Sequence, residues 1–241
     1  MSSAQAIWHE VECGGYEADL GLWRELAVRF EGPVLDVGAG TGRVSIELAR
    51  LGRDVVAVDT DAALLAELRQ KVSSHGSTSV TTVCADAREF VADIRFGLVV
   101  AAMQTVQLFG GAAGRARFLE CSRRHLAPGG CVAIAVADMT LGATGDSPRY
   151  EADVLVAGGE HYSSRPVSVR TDGGAVVIER ERIHTAGAGR IIRSLSRESI
   201  DLVDSAALRE EGLAAGFDET GVESVPATES YAGSEVVLLY G

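Results

Sequence analysis

Three glycines at alternate positions stand in the run Val34-Leu35-Asp36-Val37-Gly38-Ala39-Gly40-Thr41-Gly42-Arg43, where a short apolar stretch gives way to a helical pattern. Glycine there permits backbone conformations that other residues resist and lets a ligand come close to the main chain. Two phosphate-binding loops can be set aside. A dinucleotide fingerprint, GxGxxG, needs its third glycine at position 43, which is Arg43. A GxxxxGK[ST] loop needs a lysine, and the chain's only lysine is Lys71. An adenosine carrying a short zwitterionic tail remains as a guest, and Asp36, just ahead of the glycines, could face the tail's ammonium group.

Two further acids close similar apolar runs. Asp59 ends Val55-Val56-Ala57-Val58-Asp59 and could accept both hydroxyls of a ribose. Asp86, in Cys84-Ala85-Asp86-Ala87, could accept from an exocyclic amine such as that of adenine. Either acid taken alone could cap a helix instead, although Asp61 is available for that task after the second run. Taken together, three strand ends would converge on one nucleoside, as ligands do at the carboxyl edge of an open α/β sheet.

The elements that must position these residues alternate. Residues 33–37, 54–58, 79–84, 97–102 and 130–137 are short Val-rich runs of the kind buried on both faces of a parallel sheet. Helical periods occupy 43–51, 62–72 and 115–126, with a shorter turn of helix at 87–91. Ahead of them, residues 16–30 carry Leu20, Trp23, Leu26, Ala27 and Phe30 on one face of an amphipathic helix. After Met139 the period changes to two, over 154–156, 167–170, 175–183 and 191–202, with Asp172-Gly173-Gly174 as a tight turn. This predicts an antiparallel insertion lying over the sheet as a lid or a dimer surface. Ser205 is placed to cap a last helix at 206–215, ahead of strands at 222–225 and 235–239. The expected fold is one Rossmann-like, doubly wound α/β domain with a mostly parallel seven-stranded sheet. Its parts are an N-terminal helical cap (1–31), a core (32–140), the insertion after strand five (146–203) and a C-terminal helix with the final strands (204–241).

Composition narrows the partners. The chain has 241 residues with 34 acidic against 22 basic, a net charge of −12 that works against a broad phosphate-binding surface. Nucleic acid is therefore not expected as a partner. No run approaches the ~20 apolar residues that span a bilayer, and MSSAQAIWHE has no basic flank before an apolar core, so a cytoplasmic protein without a membrane role is expected. Cys13, Cys84, Cys121 and Cys131 form no CxxC pair, which suggests neither zinc nor a redox dithiol; they are expected reduced and mostly buried.

With these residues in view, the chain from about Pro33 to Ala137 resembles the class I S-adenosylmethionine-dependent methyltransferases. VLDVGAGTG resembles that family's first motif, Asp59 in VVAVDTD its ribose-binding acid, Asp86 in CADA its adenine-contacting acid, and LAPGG the turn before the fifth strand. The resemblance implies S-adenosylmethionine as cofactor, with Gly38, Ala39 and Gly40 along its methionine portion. It also implies Thr60 beside the adenine with Asp86 and Ala87, and Met103 on the sulfonium side. Tyr16 would close the site or serve as a half-buried core tyrosine. GLVVAAMQTVQLF departs from the Asn-Pro-Pro-Tyr type of signature of many amino-directed nucleic-acid and protein methylases, and the insertion is similar to that of small-molecule N- and O-methyltransferases. A small-molecule acceptor is thus implied, with homodimerisation through the insertion as an option.

No catalytic base is fixed. Transfer to a hydroxyl would need one, and His184, His161 and Glu160 are the candidates. Gln104, Thr105 and Gln107 could orient the acceptor. An NAD-binding oxidoreductase and a non-enzymatic regulator on the same βαβ frame are the rival readings.

Overall fold

A computed structural model describes residues 3–74, 79–137, 151–228 and 233–241. Seven strands, β1 (Val34–Val37), β2 (Val55–Asp59), β3 (Val80–Cys84), β4 (Phe96–Ala101), β5 (Leu126–Ala137), β10 (Glu219–Val225) and β11 (Ser234–Tyr240), form one sheet in the order β10-β11-β5-β4-β1-β2-β3. The first five run parallel and β11 lies antiparallel between β5 and β10. This is the doubly wound, mostly parallel sheet expected. The order reverses at β1 and β4, so the switch point falls beside the glycine run that follows β1.

Period-two alternation within each strand divides the apolar side chains between two faces. Leu35, Val37, Val99 and Ile134 pack against Phe118 of α5 (Ala112–His125) and Leu208 of α6 (Ser205–Ala214). Val34, Leu98, Val100 and Ala133 face Trp23 and Leu26 of α2 (Leu20–Arg29) and Leu48 of α3 (Arg43–Arg50). Helix α4 (Ala62–Ser74) covers the β2 end through Leu65 and Leu68.

Several local expectations change. The N-terminal region starts with α1 (Ala4–His9), which runs into a π-helical turn at Glu10–Gly14; α2 begins only at Leu20, so Tyr16 lies in the connection between helices and not on one. Residues 87–91 form a turn without a helix, because Asp86 accepts from the Arg88 and Glu89 backbone region and Phe90 is drawn into the core. The cap of α6 is Asp204, whose carboxylate accepts from the Ala207 N–H at 2.8 Å, and Ser205 is the first helical residue. Cys84 is exposed at the end of β3, whereas Cys121 and Cys131 are buried as expected.

The insertion is a second, four-stranded antiparallel sheet, β6 (Asp153–Ala157), β7 (Glu160–Asp172), β8 (Ala175–Ala186) and β9 (Arg190–Asp201), with its β7–β8 turn at Gly173-Gly174. The first part of the expected insertion, residues 146–150, lies outside the described residues. Both faces of this sheet mix apolar and charged side chains. The face towards the N-terminal segment carries Ser164, Arg180 and Arg182, with Glu12 accepting two bonds from Arg182 at 2.7 Å each and one from Ser164 at 2.6 Å. Val154, Val156, Ile191 and Leu195 stand exposed on the opposite face, Leu195 by 73%.

Candidate functional site

The glycine loop is built from conformations that only glycine adopts without strain: φ is +67° at Gly38, +55° at Gly40 and +92° at Gly42. At Gly42 a Cβ would lie 2.1 Å from Leu68 Cδ1, so the loop seats directly on α4. Its ligand side is held by Asp59. One carboxylate oxygen accepts from the Gly40 N–H at 2.8 Å and the other from the Asp61 N–H at 2.8 Å. The Asp59 carbonyl in turn accepts from the Ala85 N–H at 3.0 Å, which brings the CADA turn alongside. The first three strand ends therefore meet through Asp59. A carboxylate has roughly four acceptor positions, so two remain for a ribose diol. Asp61 takes the capping role, accepting from Ala63 and Leu64.

Asp36, expected to face the ligand's tail, is instead enclosed in the structure beside Ser45. It is 2% exposed on β1 and accepts from the Ser45 hydroxyl at 2.5 Å. Burial pushes its carboxyl up to about 6, with the Ser45 bond and Arg43 pulling the other way. A carboxyl raised in the folded state binds its proton more tightly there than in the unfolded chain, so its penalty is full above pH 6 and gone below about pH 4. Asp36→Asn is therefore expected to gain up to about 3 kcal/mol on wild type between pH 4 and pH 8, read by urea unfolding at both values. A difference that stays flat with pH contradicts this assignment.

Arg43, the residue that breaks the dinucleotide fingerprint, locks the loop to the N-terminal region. It donates to Asp19 at 2.5 and 2.8 Å and to the Tyr16 carbonyl at 3.0 Å, and its guanidinium lies 5.1 Å from the Tyr16 ring centre. Tyr16 is buried, and its hydroxyl pairs with Ser234 of β11; burial, helped by Asp19, raises its pKa.

Asp86 is engaged by a residue that sequence reasoning did not single out. Arg88 donates to both its oxygens at 2.6–3.0 Å and also to the Phe109 carbonyl, and the Arg88 bonds hold the Asp86 carboxyl below the usual carboxylate range. Thr60 is exposed and Ala87 half-buried beside these acids. Met103, two residues past β4, is the one non-glycine among the described residues with positive φ, at +54°. Strain of this kind concentrates at ligand sites. Ala39 is buried at the loop. Thr105 packs against Gly38, where a Cβ would come within 2.6 Å of its methyl group. Gln107 does not orient an acceptor: it is 1% exposed and its amide is spent on Ala137 and the Asp201 carbonyl.

The N-terminal segment packs on the loop through His9 and Glu10, which no local pattern in the sequence singled out. His9 Nδ1 lies 3.2 Å from the Thr41 hydroxyl, and Glu10 accepts from that hydroxyl and from Lys71 at 2.5 Å. On the insertion, Glu160 accepts from Tyr162 and pairs with His184, each at 2.8 Å, while the Tyr162 and His184 rings stack with centres 4.3 Å apart; His161 is exposed on the other face. A cavity of about 750 Å³ opens at the carboxyl end of β5, walled by Val136, Ala137, Arg115, Asp204, Val225 and Glu235. Among the described residues, no cluster of three or more His, Cys, Asp or Glu could hold a metal ion, and no helix is long and apolar enough to cross a membrane.

Residues 34–130 match the family model described as "Methyltransferase domain". Over 79 residues, 32% of this chain, the sequence is 37% identical to the putative methyltransferase YqeM of Bacillus subtilis (strain 168), and this match spans 31% of that protein's length. It is 38% identical over 50 residues to the rRNA adenine N-6-methyltransferase of Corynebacterium diphtheriae, covering 21% of this chain and 20% of that one. The chain thus spans less than a third of these curated relatives. The likeness in structure is wider: the sugar N-methyltransferase KedS8 from Streptoalloteichus sp ATCC 53650 superposes with a TM-score of 0.77 over 100% of this chain and 93% of its own, at 18% identity.

Proposed function

We infer that this chain is a class I S-adenosylmethionine-dependent methyltransferase and transfers the methyl group of that cofactor to an amine or hydroxyl of a small molecule. The observation that carries the reading is that Asp59 ties three strand ends together at the carboxyl edge of the sheet, its carboxylate accepting from the Gly40 N–H and its carbonyl from the Ala85 N–H. That cradle fits a nucleoside: glycine leaves the main chain bare, and Asp59 keeps acceptor capacity for a ribose. Gly38, Ala39 and Gly40 would line the methionine portion and Asp86, shared with Arg88, the adenine, with Thr60 and Ala87 flanking it. When bound, the cofactor supplies a methyl carbon already activated by positive sulfur.

The protein's part is then to align two reactants and exclude water, which can supply most of the rate. Met103 would border the reacting end, and the β5 cavity would seat the acceptor. The seating of a modest organic molecule agrees with a cavity of about 750 Å³. A net charge of −12 speaks against an RNA acceptor. The outward face of the insertion, where Val154, Val156, Ile191 and Leu195 stand exposed around the Arg165–Glu181–Arg193 ion pairs, would pair two copies as a homodimer.

Incubation with methyl-labelled cofactor and separate panels of amino sugars, hydroxylated small molecules and ribosomal RNA, followed by mass spectrometry, tests this. Label on a small-molecule amine or hydroxyl is the expected result. Label confined to RNA would overturn the acceptor class. For the dimer, Leu195→Glu is expected to convert the protein to monomer in light scattering; a wild type that is itself monomeric removes that proposal.

A further inference from the structure

The hydrogen-bond network around the glycine loop fixes the tautomer of His9. Glu10 is a carboxylate and can only accept, so the Thr41 hydroxyl donates its single proton to it. Thr41 Oγ1 can then only accept from His9, which places the imidazole proton on Nδ1. Nε2 of the neutral ring is left as a bare acceptor, with no partner among the described residues. It points at the loop: a Cβ on Gly40 would lie 2.4 Å from Nε2. Asp36, the acid expected to meet the ammonium of the ligand's tail, is sealed behind the loop and occupied by Ser45.

We propose that His9 Nε2 accepts a hydrogen bond from the cofactor's α-ammonium group, making His9 a cofactor-binding residue delivered by the N-terminal helix. The proposal rests on the reading of the loop as the S-adenosylmethionine site. An ammonium offers three donors and tolerates one imidazole acceptor among several partners. Charged groups around His9 come from three elements. Glu10 and Glu12 lie on its own segment, Asp59 at the end of β2 and Lys71 on α4; burial outweighs the carboxylates and holds the imidazole below the ordinary histidine range. Protonating His9 would turn Nε2 into a donor facing a cation. Burial holds the His9 proton off until the pH falls below the ordinary histidine range, so cofactor affinity should fall towards acid pH as the ring takes up that proton.

The test is calorimetric titration with S-adenosylhomocysteine, which carries the same α-ammonium group, between pH 5.5 and 7.5, alongside NMR titration of the His9 ring with and without that ligand. Wild type is expected to bind more weakly at the acid end and to show a His9 pKa lowered further by the ligand. His9→Ala should bind about tenfold more weakly and lose the pH dependence. His9→Gln, which keeps an acceptor that cannot titrate, should recover part of the affinity and stay flat with pH. If wild type binds but its His9 titration is unmoved by the ligand, and both variants bind as wild type does, His9 is not in the site. If wild type fails to bind at all, the cofactor reading itself falls.

Discussion

Replacing Asp59 by alanine is expected to weaken S-adenosylhomocysteine binding by about 3 kcal/mol, roughly a hundredfold in Kd. The effect exceeds that of one lost ribose bond because the same carboxylate holds the Gly40 and Asp61 N–H groups, each at 2.8 Å. Removing it strands the Gly40 donor and loosens the loop that the ligand must meet. Asp59→Asn, which keeps an acceptor oxygen for one of these amides, should lose less. Calorimetry on both variants measures this, and equal, wild-type affinities would remove Asp59 from the site. Thermal melting of the unliganded variants separates loss of the ligand contact from loss of the fold.

Gly97→Ala is expected to be the most damaging single-methyl change to stability. Gly97 lies on the central strand β4, and a Cβ there would sit 1.6 Å from the Glu31 carbonyl oxygen. That neighbour is backbone, in the turn that delivers β1 beside β4, and Gly97 N–H is tied to the Pro33 carbonyl at 3.0 Å. Relief requires moving the start of β1 and with it the glycine loop. The expected loss is about 4 kcal/mol, roughly 10 °C in Tm for a domain of this size. Gly21→Ala is the control. A Cβ there meets nothing within 4 Å in helix α2, so it should leave stability unchanged or raise it by up to about 1 kcal/mol. Equal melting temperatures for the two variants would show that the close approach at Gly97 is not a constraint.

The sheet was legible in the sequence because strands buried on both faces must be apolar throughout. The runs ending at Val37, Asp59 and Ala101 leave little room for another reading, whereas β3, at the sheet edge with Thr81 and Thr82, is half exposed. Gly40, Asp59 and Asp86 were legible for a related reason: an acid or a glycine at the end of such a run has no core to enter. What escaped depends on contacts between segments distant in the chain. His9 and Glu10 reach the loop only once α1 folds against α4, and nothing local marks Lys71 as their partner. Arg88 could have been suspected two residues beyond Asp86, where a long cation can fold back on a carboxylate.

The insertion shows a different limit. Period-two alternation on β6 to β9 separates two faces but does not say which one turns inward. The inward face carries Arg180 and Arg182 beside buried Tyr162, Val176 and Ile200, because Glu12 of the π-helical turn supplies the partner that the two arginines need away from water. The alternation alone left open which face is covered, and the packing decides it. Asp36 is a similar case. Its position before the glycines suggested a ligand contact, yet the strand's alternation carries it into the interior beside Ser45.

Hydrogen exchange measured with and without S-adenosylhomocysteine tests most directly whether one nucleoside engages three strand ends. Protection is expected at three separated segments together, 38–42, 59–61 and 86–88, with the edge strand β10 unchanged. Binding that protects the glycine loop but leaves 59–61 and 86–88 exchanging as in the free protein would contradict the account.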